Sequence, residues 1–367
     1  MYFKRVYYIV MQRYYVVDFF RGLAAFLVLI SHYGHFFQYK QNGYPKDWSD
    51  QLLPLNDYIG FIYNQGGKAV EFFFCISGFI FFMYYFEKVS DKKISPFNFF
   101  LLRFSRLYPL HIVSLILVAI FTVIFFNLSD FYFIYDNNDL KHFILNVFLI
   151  SHWGFQDGTS FNEPIWSVSI EIFLYGAFFF LSYYLRNILL ICISSILIGL
   201  LITLNVYYSF GVGIVCFFIG GLTFYLHNYA LRKKVKREVF SLTLFLFLIT
   251  AYIIFLNPYR LDIYKQDLLA FFILFPLLVL TLSFIDLLKL NFFKKVSIFG
   301  DLSYSIYIVH FPLQLIIVTI CILLGFDINF SKVSSLFGFI LITLLISFFS
   351  YRYLEVPMRN YFRKFIS

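Results

Sequence analysis

The chain has 367 residues, 61% hydrophobic and only 13% charged, with mean hydropathy +0.80 and net charge +9. Soluble domains carry roughly 25% charged residues, so this chain has about half the polar supply that a water-facing surface needs. A soluble enzyme or nucleic-acid-binding domain is excluded, and the expected fold class is an all-α, polytopic bundle of transmembrane helices.

A spanning helix takes about 20 mostly apolar residues, and ten stretches qualify. The first, 16–35, contains "FFRGLAAFLVLISH", which carries Arg21 near one end and His32 near the other. In lipid both side chains are expensive and need a reason. Eleven residues of helix separate them by about 16 Å along the axis, and three turns bring them to within about 20° of one face. Arg21 alone reads as a snorkelling anchor and His32 alone as a helix–helix hydrogen bond. A shared stripe instead suggests one polar cavity. His35, three residues on, is expected to lie off the stripe on the same helical wheel and to tolerate substitution.

The second span is 69–86 and the third 109–126. Just before the third, "FLLRFSRLYPLH" places Arg103 and Arg106 one turn apart, so both guanidiniums point the same way. Two forked donors can clamp a phosphate or pyrophosphate, although a topology signal would look the same. The long loop 127–165 is rich in acids and aromatic rings, which suit a sugar and equally suit an interfacial belt. The fourth span, 166–184, opens on "NEPIWSVSIEIFLYG": Trp166 at the interface, then Ser167, then Glu171 one turn on inside an apolar run. Spans at 187–204, 207–226, 239–256 and 268–288 follow, and the run "LRKKVKRE" at 231–238 is explained by anionic lipid facing a cytoplasmic loop. The ninth span, 303–325, buries His310, and the tenth, 336–351, exits into "YLEVP" with Glu355. Cys75, Cys192, Cys216 and Cys321 all lie in apolar runs without metal-ligand spacing and read as small core hydrophobes.

With the N-terminus inside, 21 of the 29 basic residues are cytoplasmic, seven are external and Arg21 is in the first helix. The positive-inside rule favours this sign, so both termini are expected in the cytoplasm, and the net charge follows from topology. The expected organisation is a cytoplasmic segment 1–15, a membrane domain 16–357 and a cytoplasmic tail 358–367.

Taken together, these stretches resemble acyltransferase family 3, integral-membrane O-acyltransferases that mostly acetylate bacterial surface polysaccharides. Asp18, then Arg21 to Ala25, then His32 match the family's opening pattern, and "EFFFCISGF" its second-helix signature, with Glu71 where Asp is common and Ser77 in place. "RFSRLYP" is unchanged, "PIWSVSIE" departs only at Val168, and "SYSIYIVHFP" (with Tyr307 and His310) and "EVP" close the series. The resemblance covers about 18 to 357. It implies acyl-CoA, acetyl-CoA in most relatives, as a donor substrate from the cytoplasm, with no permanently bound cofactor. The implied acceptor is a cell-surface or lipid-linked glycan, and the implied location is a bacterial inner or plasma membrane. By position His32 inherits the catalytic histidine, acting as base or transient acyl carrier, and Arg21, Arg103 and Arg106 inherit the donor-binding arginines. Glu171 is carried as a second catalytic group. Asp18, Glu71, Ser77, Trp166, Ser167, Tyr307, His310 and Glu355 are carried as pocket residues. Two alternatives stay open at this point: a flippase of a glycan intermediate on the same scaffold, and acyl transfer to a small molecule or lipid.

Overall fold

The computed structural model describes residues 13–46, 48–205, 207–256 and 261–366. Lys4, Arg5 and Arg260 of the charge balance, and most of the expected N-terminal segment, lie outside them. Among the described residues there are helices and no strands. In order they are α1 (Tyr15–Ser31), α2 (Asn56–Gln65), α3 (Ala69–Ser90), α4 (Pro96–Ser129), α5 (Leu140–Val147), α6 (Trp166–Leu185), α7 (Ile188–Asn205) and α8 (Tyr208–Arg232). Then come α9 (Lys236–Leu256), α10 (Ile263–Leu269), α11 (Phe275–Asp286), α12 (Asn291–Val296), α13 (Ile298–Leu324), α14 (Val333–Ser350) and α15 (Val356–Arg363). Ten of the continuous helical segments are long and apolar enough to cross a membrane, one for each stretch read from the sequence.

One boundary is extended. Arg103 and Arg106 precede the apolar stretch 109–126 but belong to the same helix, because α4 runs unbroken for 34 residues through Pro109. At 1.5 Å per residue that is about 51 Å, well beyond a hydrocarbon core of about 30 Å, so the helix has length to spare for its arginine-bearing end.

The chain divides into two compact units. The first comprises the residues up to Arg21, 71–95 and 173–300. Here α3 and α8 cross at backbone contact: a Cβ at Gly78 would lie 1.8 Å from the Phe217 carbonyl oxygen, and one at Gly220 would lie 2.1 Å from that of Cys75. Small residues that let backbones touch are what association in lipid uses in place of a hydrophobic drive. The start of α1 is fixed by Asp286, whose carboxylate oxygens accept the Val16 and Val17 N–H groups at 2.8 and 3.1 Å. Those are orphan donors of a first helical turn, and a carboxylate there also meets the positive end of the helix dipole.

The second unit comprises 22–70, 96–172 and 301–367. It holds the rest of α1, α2, α4, α5, the opening of α6, and α13 to α15. Pro312 sits inside α13 and cannot donate to the Ile308 carbonyl four residues back. Asn162 takes its place, its Nδ2 donating to Ile308 O at 3.1 Å and to Ser114 Oγ at 2.5 Å. All four cysteines are buried and free, as expected of core hydrophobes.

Candidate active site

The first unit fixes Arg21. Its guanidinium donates to the Gly300 carbonyl at 2.6 Å and pairs with Asp18 at 3.2 Å; Asp18 in turn pairs with Arg13. A Cβ at position 300 would lie 2.3 Å from the Asp18 carbonyl oxygen, so glycine is required for this approach. The opening Asp-to-Arg pattern and Gly300, in the first turn of α13, therefore meet in one charged cluster. Glu71 and Ser77 are on α3 of the same unit, with Glu71 near Tyr208 and Cys216.

In the second unit four further motifs meet. Tyr304 donates to the Leu107 carbonyl at 2.5 Å, between Arg106 and Pro109. The Ser305 hydroxyl donates to buried Glu355, and Arg106 and Arg359 set the field at that carboxylate. Glu355 ends a single π-helical turn, Tyr351–Glu355, a distortion found at functional positions. Ser167 shares a 2.9 Å hydrogen bond with Tyr307. Glu171 is half-buried on α6.

At the centre of this unit stands His32. The α-helix ends at Ser31 and His32–Gln38 continue as a 3-10 helix. The His32 Nδ1 lies 2.8 Å from the Val28 carbonyl oxygen. A carbonyl only accepts, so Nδ1 carries the proton and Nε2 presents the lone pair. The His32 carbonyl accepts from Gln314 Nε2 at 2.8 Å. Two more imidazoles stand against it, with ring centroids 5.0 Å away for His35 and 4.9 Å for His310. His310 is fully buried, and neither its ring nitrogens nor Nδ1 of His35 make a hydrogen bond of regular geometry among the described residues, the Ile306 and Tyr307 backbone lying near His310 and the Gln314 side chain near His35. Among those residues no three His, Cys, Asp or Glu side chains are placed to hold one metal ion.

The position expected for His35 is corrected: its ring stands against that of His32. A 3-10 helix has three residues per turn, so positions i and i+3 eclipse; His35 shares the face of His32 instead of turning away from it. The loop side of the cluster was also missed. Tyr135 stands 6.2 Å from the His35 ring and 4.7 Å from that of Phe311. Burial, with Glu163 and Tyr307 nearby, holds the Tyr135 phenol well above its ordinary pKa, so it remains a hydroxyl. Glu163 pairs with His152 at 2.8 Å and accepts the Ser160 N–H at 2.9 Å; the His152 ring lies 6.1 Å from that of Trp166. The only trace of these residues in the sequence is the loop's richness in acids and rings.

Comparisons with known proteins give the family. The chain belongs to acyltransferase family 3, whose acyltransferase-domain model matches residues 14–352. The family's chemistry is the transfer of acyl groups other than aminoacyl groups. The chain is similar to "Protein 2 in picA locus" of Rhizobium radiobacter, 30% identical over 112 residues, which cover 30% of this chain and 47% of that protein. The match thus spans about half the length of that relative. It is also similar to ORF330 of Acidianus two-tailed virus, whose name provisionally calls it an acetyltransferase, at 26% identity over 77% of this chain and 82% of that protein. No solved structure matches.

Proposed function

We propose that the protein is a membrane O-acyltransferase, an O-acetyltransferase in its simplest form. It would move the acyl group of cytoplasmic acyl-CoA to a hydroxyl of a cell-surface or lipid-linked glycan at the outer face of a bacterial cell membrane. The observation that carries this reading is His32, with Nδ1 committed to a carbonyl and Nε2 alone left open. An imidazole in that state can take the proton of an attacking hydroxyl, a contribution of roughly 10² to 10⁴ in rate, or can itself attack the thioester. Arg21, Arg103 and Arg106 are assigned to the phosphates of CoA, to which a planar fork gives bidentate bonds. Glu171 is assigned to support the transfer, and the loop 127–165 to receive the acceptor, its rings and carboxylates suiting sugar hydroxyls.

His32→Ala tests this directly. Transfer from acetyl-CoA to extracted surface glycan should fall by at least the general-base factor, while folded yield and acetyl-CoA binding persist because the arginines remain. Activity within a few-fold of wild type would falsify the assignment and favour transport of a glycan intermediate. Equal losses of folded protein and activity would reduce His32 to a packing residue.

A further inference from the structure

A second imidazole on the face of His32 changes what the site can do. His32 has one usable nitrogen, Nε2, because Nδ1–H is bonded to Val28 O. If that nitrogen carries the acyl group, it cannot also accept the acceptor's proton. The 3-10 turn sets His35 three residues on, in register with His32, ring to ring at 5.0 Å, beside the Gln314 side chain and with a buried Nδ1 that makes no hydrogen bond of regular geometry. On its other side His35 meets Tyr135 of the outer loop at 6.2 Å, and Glu163 lies beside that tyrosine. The order of groups is therefore a nucleophile with one free nitrogen, a base against it, and a hydroxyl and carboxylate leading into the loop assigned to the acceptor.

We propose that acyl transfer proceeds in two halves, with His32 as the acyl carrier and His35 as the base of the second half. The proposal rests on the reading of His32 as the reacting imidazole. In the first half the Nε2 lone pair attacks the thioester carbon, the N–C bond forms and the C–S bond breaks. The CoA thiolate leaves and takes a proton from cytoplasmic water. The acylimidazolium keeps its Nδ1 proton on the Val28 carbonyl. In the second half the acceptor hydroxyl gives its proton to Nδ1 of His35 while its oxygen bonds to the acyl carbon. The C–Nε2 bond breaks, and its electron pair returns to His32. His35 then releases its proton on the side of Tyr135 and Glu163. One thioester and one alcohol give one ester and one thiol, with a proton taken up by the thiolate and a proton released from His35. A donor and an acceptor arriving from opposite faces never need to be bound together.

The experiment is isotope exchange with the purified full-length protein and no acceptor: radiolabelled CoA incubated with unlabelled acetyl-CoA, scored as labelled acetyl-CoA. The wild type should exchange. His35→Ala should exchange to within about three-fold of wild type, yet transfer to extracted glycan should drop by roughly 10² to 10⁴, the size of a lost general base. His32→Ala should lose both. Retained exchange certifies that the His35 variant is folded and binds the donor, so a loss of transfer is assigned to the second half. Absence of exchange in the wild type overturns the two-half scheme. So does a His35→Ala protein that loses exchange along with transfer, or one that transfers at the wild-type rate. If His32→Ala keeps both activities, the failure lies in the assignment of His32 itself.

Discussion

Asn162→Ala removes the side chain that replaces the bond Pro312 cannot make. Its Nδ2 bonds Ile308 O at 3.1 Å and Ser114 Oγ at 2.5 Å, and Asn162 is 1% exposed. Truncation strands a buried carbonyl, which costs about 1–3 kcal/mol in desolvation, with a smaller loss at the Ser114 hydroxyl. Ile308 lies two residues before His310, so the strain falls on the helix turn that carries an imidazole of the histidine cluster. The informative comparison is a double-mutant cycle with Pro312→Ala. An alanine there restores an N–H that can reach Ile308 O within α13, so Asn162→Ala should cost less in that background by about the stabilisation of one hydrogen bond, 0.5–1.5 kcal/mol. Both terms are read from the thermal midpoint in detergent and from acyl transfer normalised to folded protein. Equal penalties in the two backgrounds would show that Asn162 does not substitute for the missing helical bond. The account of the α13 break would then be wrong.

Arg103→Ala and Arg106→Ala should each weaken acetyl-CoA binding by about 1.5–3 kcal/mol, the value of a hydrogen bond to a charged group. Lysine at either site should recover only part, since a point charge lacks the fork; unchanged affinity in both alanine variants would reduce the pair to a topology signal. For orientation, Lys46→Cys and Lys233→Cys place thiols at exposed positions against a background of four buried cysteines. An impermeant maleimide on intact cells should label position 46 and spare position 233, and the reverse pattern would invert the proposed topology.

Much of this was legible in the residues. Ten apolar runs gave ten spans, and among the polar positions that lipid makes expensive, Glu355 and His310 stand against residues of other motifs, Ser305 and His32, while Arg21 pairs with Asp18 of its own. What stayed hidden has a local or a tertiary cause. Pro109 looks like a helix boundary because prolines favour first turns, yet α4 passes through it. His35 was misplaced because a 100° helical wheel was extended past Ser31, where the backbone tightens to three residues per turn. Its only warning was Gly34, a poor helix former, between the two histidines. Tyr135, Glu163 and Asn162 belong to a loop without periodicity, and only the folded chain brings them beside α13 or His35.

These departures from α-helix share a logic. In the hydrocarbon region a carbonyl released from its helical bond has no water to turn to and must find a partner within the protein. Ile308 O, released by Pro312, is met by Asn162. His32 O, inside the 3-10 segment, is met by Gln314, and Val28 O, one turn back, accepts from the Ser31 hydroxyl and from the His32 ring. The bond from the ring matters most for the proposed chemistry, because it fixes which nitrogen of His32 is protonated and leaves the other open. The 3-10 turn also closes the roughly 60° that an α-helix leaves between positions three apart, so the His32 and His35 rings stand in register, 5.0 Å apart. The backbone distortion and the pairing of these two imidazoles are one feature, and a substitution that restored regular helix across His32–Gln38 should lower activity without touching either ring.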